Sequence, residues 1–186
     1  MLLPDISHLS LVGQRRSRRV LITCHPRQPK TDGVFWHFLQ DVFSSESSKT
    51  WPGDVIEYET VDMLPGGTHK ADALSNSLWV KQHVGQFDAV WLPDCGGSWW
   101  HIMQLSSISE DVYLEHLERM ILLVLSLVKP GGKLYLGKLP EDSYLIASRL
   151  LSMSLPAYLD KVKTVAVLDH KDKDYHTDFI VLEKST

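Results

Sequence analysis

Cysteine is scarce in this chain. Cys24 and Cys95 are the only two in 186 residues, and their spacing fits neither a zinc-ligand pattern nor a redox pair. A disulfide framework is excluded, and a reducing intracellular setting, cytoplasmic in the simplest case, is expected. Long apolar runs are also missing. The longest, Met120 to Val128, is broken by Ser126, whereas a membrane-spanning helix needs about 20 residues. No basic stretch precedes an apolar segment near Met1, so no secretory signal is expected. Nor does one sign of charge dominate. The 19 Lys and Arg face 23 Asp and Glu, for a formal net charge of -4, which removes any global attraction to nucleic acid or anionic membrane. The one local candidate for phosphate contact is the basic cluster Arg15, Arg16, Arg18 and Arg19, which reads first as a solvated entry to the first strand. Nine histidines show no metal-ligand spacing with companion carboxylates, so no metal is expected. His170, Asp172, Asp174 and His176 alternate in a charged stretch that reads as a solvated turn rather than a cation clamp. There is no internal repeat and no low-complexity tract.

What remains is an ordinary globular composition, 44% hydrophobic and 23% charged, in a length that suits one domain with a sizeable core. Residues 1–17 read as an arm and 18–186 as a single α/β domain. Arg19 to Cys24 is a short β-rich apolar run. A proline-bearing loop follows, and then a helix over Val34 to Phe43 with Phe35, Phe38, Leu39 and Val42 on one face. Ser44 to Gly53 is serine-rich and reads as a loop. Val55 to Asp62 alternates, with Val55, Glu57, Glu59 and Val61 on one face. Two glutamates on a shared face suit a strand near the sheet edge. Ala71 to Val84 reads as a second helix, with Leu74, Leu78 and Val84 on one side. Phe87 to Leu92 is a further strand, ending in a glycine-bearing loop, Pro93 to Trp100.

Ser107 to Glu110 has the Ser-x-x-Glu form of a capping box. The helix after it aligns Leu114, Leu117, Ile121, Val124, Leu125 and Val128. Lys129-Pro-Gly-Gly132 stops that helix, and Lys133 to Gly137 is a strand. Tyr144 to Leu155 reads as helical. Thr164 to Leu168 and Asp178 to Glu183 read as an antiparallel hairpin around the turn His170 to His176. Strands alternating with helices imply a mostly parallel twisted sheet with helices on both faces, here closed by a C-terminal β-hairpin.

Two of these segments resemble the class I S-adenosylmethionine-dependent methyltransferases. In that family a strand opening Phe-Asp-x-Val leads into a long helix and then a Lys-Pro-Gly-Gly turn, as Phe87 to Val90 and Lys129 to Gly132 do here. The terminal pair ending Phe179 to Lys184 is similar to the family's closing hairpin. The resemblance covers about residues 85 to 184 and implies a Rossmann-like methyltransferase fold with S-adenosylmethionine as cofactor. The spacing between Asp62 and Phe87 leaves no clear room for the family's third strand, so the sheet is expected to lack one edge strand.

The resemblance also implies a site along the carboxyl ends of the strands. Cys24 and His25 sit at the carboxyl end of the first strand, where the family has Gly-x-Gly-x-Gly. Here Cys24 to Lys30 contains Pro26 and Pro29 and no glycine. Asp62 takes the place of an acidic residue that accepts hydrogen bonds from the cofactor's ribose. Asp94 and Gly96 map to a further cofactor loop, although the family's amine-methylating order of residues is not met there. Trp99 and Trp100, adjacent on a loop, cannot both enter one core, so one of them is a candidate for substrate or a protein partner. The family motif names no catalytic residue here. Two other readings stand beside this one. In the first, a methyltransferase fold without its glycine loop serves as a non-catalytic binding or structural subunit, with the Trp99/Trp100 loop or the edge of the Val55 to Asp62 strand as its contact surface. In the second, Val20 to Pro26 is similar to the first strand of flavodoxin-like quinone reductases, which implies FMN or FAD.

Overall fold

The computed structural model describes residues 15–23, 33–62, 68–75, 77–93, 109–137, 162–171 and 176–186. Seven strands form one sheet: β1 (Ser17–Thr23), β2 (Val55–Asp62), β3 (His69–Lys70), β4 (Phe87–Leu92), β5 (Val128–Gly137), β6 (Val162–Lys171) and β7 (His176–Lys184). Their order is β3-β2-β1-β4-β5-β7-β6. The first five are parallel to one another, while β7 lies antiparallel between β5 and β6. The helices are α1 (Gly33–Thr50), α2 (Leu78–Gln82) and α3 (Glu110–Leu127).

Side-chain alternation sorts the core into two layers. Leu21, Val90, Leu92, Leu134 and Leu136 face one side, with Val80 of α2 and Met120, Ile121, Val124 and Leu125 of α3. Val20, Ile22, Ala89, Trp91 and Tyr135 face the other, with Leu39, Val42 and Phe43 of α1. A strand covered on both faces is largely apolar; every residue of β4 is buried, and Asp88 is its one charged member. Each fully buried apolar side chain contributes about 1.5–3 kcal/mol, so the Met120 to Leu125 stripe fixes α3 against the sheet more strongly than helix propensity does. Among the described residues no helix is long and apolar enough to cross a membrane.

The strands follow the sequence pattern closely, and the helices depart from it. α1 runs on through the serine-rich segment to Thr50. Ser47 turns inward and is buried, Lys49 pairs with Glu46 and also suits the negative end of the helix dipole. The helix ends only where Pro52 and Gly53, the latter at φ 83°, redirect the chain. α2 is shorter than expected. Local polar bonds replace its first turns: Asp72 Oδ1 accepts from the Leu74 amide, the Ser77 hydroxyl donates to the Asp72 carbonyl, and Ser77 Oγ accepts from the Val80 amide. Such bonds compete with a helix ladder. Leu78 and Val84 are exposed, and Trp79 and Val80 pack inward instead.

Two further expectations are corrected. The third strand of the family pattern is present, reduced to His69–Lys70 and paired only with Val61 and Asp62 of β2. Ser109, not Ser107, is the N-cap of α3, with no side-chain capping bond; Ser107 lies outside the described residues, as does the helix expected at Tyr144 to Leu155. The hairpin is longer than its apolar cores, with Lys171 opposite His176. At the far end of α3, Lys184 Nζ of β7 donates to the carbonyls of Leu125 (3.2 Å) and Val128 (2.7 Å), which satisfies acceptors that a helix terminus leaves open.

The amino edge of the sheet is held by charge. Asp88 of β4, 7% exposed, accepts from the Arg19 amide at 2.9 Å, Arg18 Nη1 at 3.2 Å and Lys129 Nζ at 2.7 Å. Arg18 also reaches Asp54 at 2.7 Å. Burial alone would raise the Asp88 carboxyl, but the bonds from Lys129, the Arg19 amide and Arg18 together hold it below the ordinary aspartate range. A carboxylate depressed on folding stabilises the fold above its unfolded value, near 4, and that stability is lost as pH falls through the lower folded value. Urea unfolding is therefore expected to show a stability decline below about pH 4 that Asp88→Asn flattens. At neutral pH that substitution is expected to cost about 2–3 kcal/mol.

Glycine at 137 is demanded by packing. A Cβ there would sit 2.8 Å from the Pro93 carbonyl oxygen and against the Phe179 ring. Gly137→Ala is expected to lower stability by about 1–3 kcal/mol in the same assay.

Candidate functional site

In an open parallel sheet the loops beyond the carboxyl ends of the strands gather on one edge, and ligands bind where the strand order reverses. Here the reversal lies between β1 and β4, which are neighbours in the sheet while their onward connections lead to opposite sides. The described rim of this edge consists of Thr23, Asp62, Pro93 and Gly137. The Thr23 hydroxyl, fully buried, donates to the Trp91 carbonyl at 3.1 Å and ties the two strands together at the reversal.

Asp62 is the last residue of β2. Because Thr23 is in register with Val61, Asp62 stands one residue beyond the end of β1, on the strand next to the reversal. Its carbonyl accepts from the Ala71 amide at 3.0 Å, and its Cα is in register with Lys70. The residue is half-buried. Neighbouring strands are about 4.8 Å apart, which is within reach of a sugar bound over β1.

The rim rests on an aromatic floor. The Trp91 ring stacks on Tyr135 at 3.7 Å and 7° between planes, tilts against Phe43 at 4.5 Å, and meets Phe179 edge-on at 5.0 Å. Trp91 Nε1 is buried with no hydrogen-bond partner among the described residues. Burial pushes the Tyr135 phenol up to about 12, a hydrogen bond with Thr50 opposes the shift, and the Glu46 charge adds to it.

The opposite face of the sheet carries a polar belt. Glu59 accepts from Arg19 Nε at 2.7 Å, from Arg19 Nη2 at 3.1 Å and from His69 Nε2 at 2.7 Å. The hydrogen bonds from Arg19 hold Glu59 below the usual glutamate range; burial opposes this and His69 adds to it. His83 stacks on Trp79 at 4.2 Å while its Nδ1 donates to the Trp79 carbonyl at 2.7 Å, and Arg19 lies over the Phe87 ring at 4.8 Å. The sequence pattern marks Glu57 and Glu59 as unusual but does not reveal this belt. The available signal was that parallel register puts Arg19 on the same face as both glutamates.

Of the sequence-derived candidates, the structure places only Asp62. Cys24, His25, Asp94, Gly96, Trp99 and Trp100 lie outside the described residues, and so do Asp172 and Asp174. Within the basic cluster, Arg18 and Arg19 have internal acidic partners, whereas Arg15 and Arg16 are exposed. Among the described residues no three His, Cys, Asp or Glu side chains are grouped to hold a metal.

No family model matches the chain, and no curated protein matches its sequence. Solved structures do match its fold. The citrinin polyketide synthase CMeT domain superimposes with a TM-score of 0.50 at 12% identity, over 91% of this chain and 47% of that one. TrmN from Thermus thermophilus gives 0.48 at 15% identity, over 94% and 46%. The CurJ carbon methyltransferase gives 0.45 at 12% identity, over 95% and 50%. The chain spans about half the length of each of these proteins. Its sheet, with the closing antiparallel hairpin, has a methyltransferase-like fold.

The aromatic floor yields a spectroscopic expectation. In an alkaline absorbance titration of the folded protein, the Tyr135 phenolate is expected only near pH 12. Tyr135→Phe is expected to remove that late step and leave the earlier tyrosine steps in place.

Proposed function

We propose that this chain is a divergent S-adenosylmethionine-dependent methyltransferase-like protein that binds the cofactor at the carboxyl edge of its sheet. The observation that carries this reading is the position of Asp62, a carboxylate at the end of the strand beside the reversal point, where an acidic residue accepts hydrogen bonds from ribose hydroxyls in nucleotide-binding α/β folds. The sheet order supports it too, since a flavodoxin-like sheet runs 2-1-3-4-5 and lacks the antiparallel β6–β7 pair found here.

The residues fit the cofactor in part. Asp62 suits the ribose. Cys24 to Lys30, with two prolines and no glycine, does not offer the close backbone approach that glycines give to the methionine part. The cofactor's chemistry is an electrophilic methyl group on a sulfonium. The protein's share in its transfer would be alignment of donor and acceptor, and the loop from Asp94 to Trp100 is the segment we assign to the acceptor. Reaction steps through the cofactor are not assigned, because the methionine side of the site departs from the pattern.

The same missing glycines favour a second reading, a methyltransferase fold retained as a non-catalytic binding or structural subunit. Titration calorimetry with S-adenosylmethionine separates the two. Saturable binding that Asp62→Ala weakens by about 10- to 100-fold, the cost of losing hydrogen bonds to a charged group, supports the first. No heat at millimolar cofactor, from a chain with its native circular dichroism, overturns it in favour of the second.

A further inference from the structure

The outer edge of β2 is protected unevenly. Successive residues of a strand turn their backbone groups to opposite sides. The Val55 amide donates inward to the Arg16 carbonyl, and the odd-numbered residues of β2 follow it toward β1. Ile56, Tyr58, Thr60 and Asp62 therefore present their N–H and C=O groups outward. Asp62 is covered by β3 and by the Ala71 amide. Thr60 is covered by a reciprocal pair: its amide donates to Thr68 Oγ1 at 3.1 Å, and its hydroxyl accepts from the Thr68 amide at 2.9 Å. Among the described residues, the outward backbone groups of Ile56 and Tyr58 have no partner. Beside them Val55 is 49% and Tyr58 40% exposed.

An open strand edge is a template for another strand, and proteins with no use for one usually blunt it. The charge pattern indicates what this edge admits. A second copy pairing antiparallel, with Ile56 opposite Tyr58, sets Glu57 directly against Glu57. Sliding by one pair, with Tyr58 opposite Tyr58, sets Glu57 against Glu59. Like charges directly opposite are destabilising, so the register centred on Glu57 disfavours a second copy. Glu59 is already paired with Arg19 and accepts a hydrogen bond from His69. Glu57 is exposed; among the described residues its carboxylate accepts from the Ser17 hydroxyl, and the residue lies in register with Arg19 on the inner side, so its outer side is the one that can meet an incoming cation.

We propose that the Val55–Thr60 edge of β2 is a docking site for an extended basic segment of a partner protein. That segment adds to the sheet through the backbone of Ile56 and Tyr58 and places a lysine or arginine opposite Glu57. This is β-strand addition, in which main-chain bonds supply affinity and alternate side chains supply selectivity. It does not depend on whether Asp62 holds a cofactor.

The test is amide hydrogen exchange on the whole chain, with a short peptide alternating lysine and valine and a second alternating glutamate and valine. The lysine peptide is expected to slow exchange at Ile56 and Tyr58 by about tenfold or more, and the glutamate peptide is expected to leave it unchanged. Glu57→Lys is expected to reverse that preference. Tyr58→Pro removes an outward amide and leaves the pairing with β1 intact, so it is expected to abolish protection while the native circular dichroism persists. Four outcomes would overturn the proposal: equal protection by both peptides, protection by neither, slow exchange at both amides in the peptide-free chain, or protection that rises with the concentration of the chain alone. Should Glu57→Lys fail to fold, the two peptides and Tyr58→Pro still decide.

Discussion

One buried carboxylate organises the lower half of this sheet. Asp88 receives donors from β1 and from β5, and so joins three parallel strands that are remote in sequence. Parallel strands cannot be connected by tight turns, so their mutual position must come from packing and from contacts of this kind. Asp88 sits where β4 begins, flanked by residues that alternate between the two hydrophobic layers. Losing its partners would leave a charge in a nearly dry setting, which is far more costly than the pairs are favourable. The basic residues that lead into β1 are part of this arrangement, because Arg18 and Arg19 are spent on Asp54, Asp88 and Glu59.

The two edges of the sheet accordingly differ in character. The amino edge is crowded with ion pairs and with Gly132, where a Cβ would sit 2.7 Å from the Asp88 carbonyl oxygen. At the carboxyl edge, the described residues make few polar ties. Thr23 bonds to the Trp91 carbonyl, and below it lies an aromatic stack. Among the described residues the ion pairs gather at the amino end of the strands, while the chain's candidate chemistry lies at the other. A loop-built site on a rigid scaffold requires this separation.

Most of the sheet was legible in the sequence, because a two-residue period and continuous apolar runs report burial directly. Phe87 to Leu92 reads as a strand closed on both faces, and it is one. Lys129 to Gly132 reads as the end of a helix, and α3 ends just before it. The helices were less legible, because local hydrogen bonds decided them. Asp72 and Ser77 melted the first turns expected of α2, and Ser47 went inward to prolong α1. The two-residue β3 has too few residues to show any period, so only its pairing with Val61 and Asp62 reveals it. The position of Asp62 at the end of an alternating strand was legible, since the strand's period runs up to it. The belt of Arg19, Glu59 and His69 was not, because its members meet through register, which a pattern within one segment does not encode.

The pairing of β1 with β4 also bears on how the protein is made. Arg19 and its partner Asp88 are 69 residues apart along the chain, and β1 lies between β2 and β4 in the finished sheet. During synthesis, at roughly 5–20 residues per second, β1 emerges several seconds before the strand that completes its second side. For that interval, of the described elements packed on them, the apolar Val20, Leu21 and Ile22 have α1 and β2 but not β4 to cover them. The nascent chain thus passes through a half-built sheet, and a chaperone that binds short apolar strands would meet it at that stage.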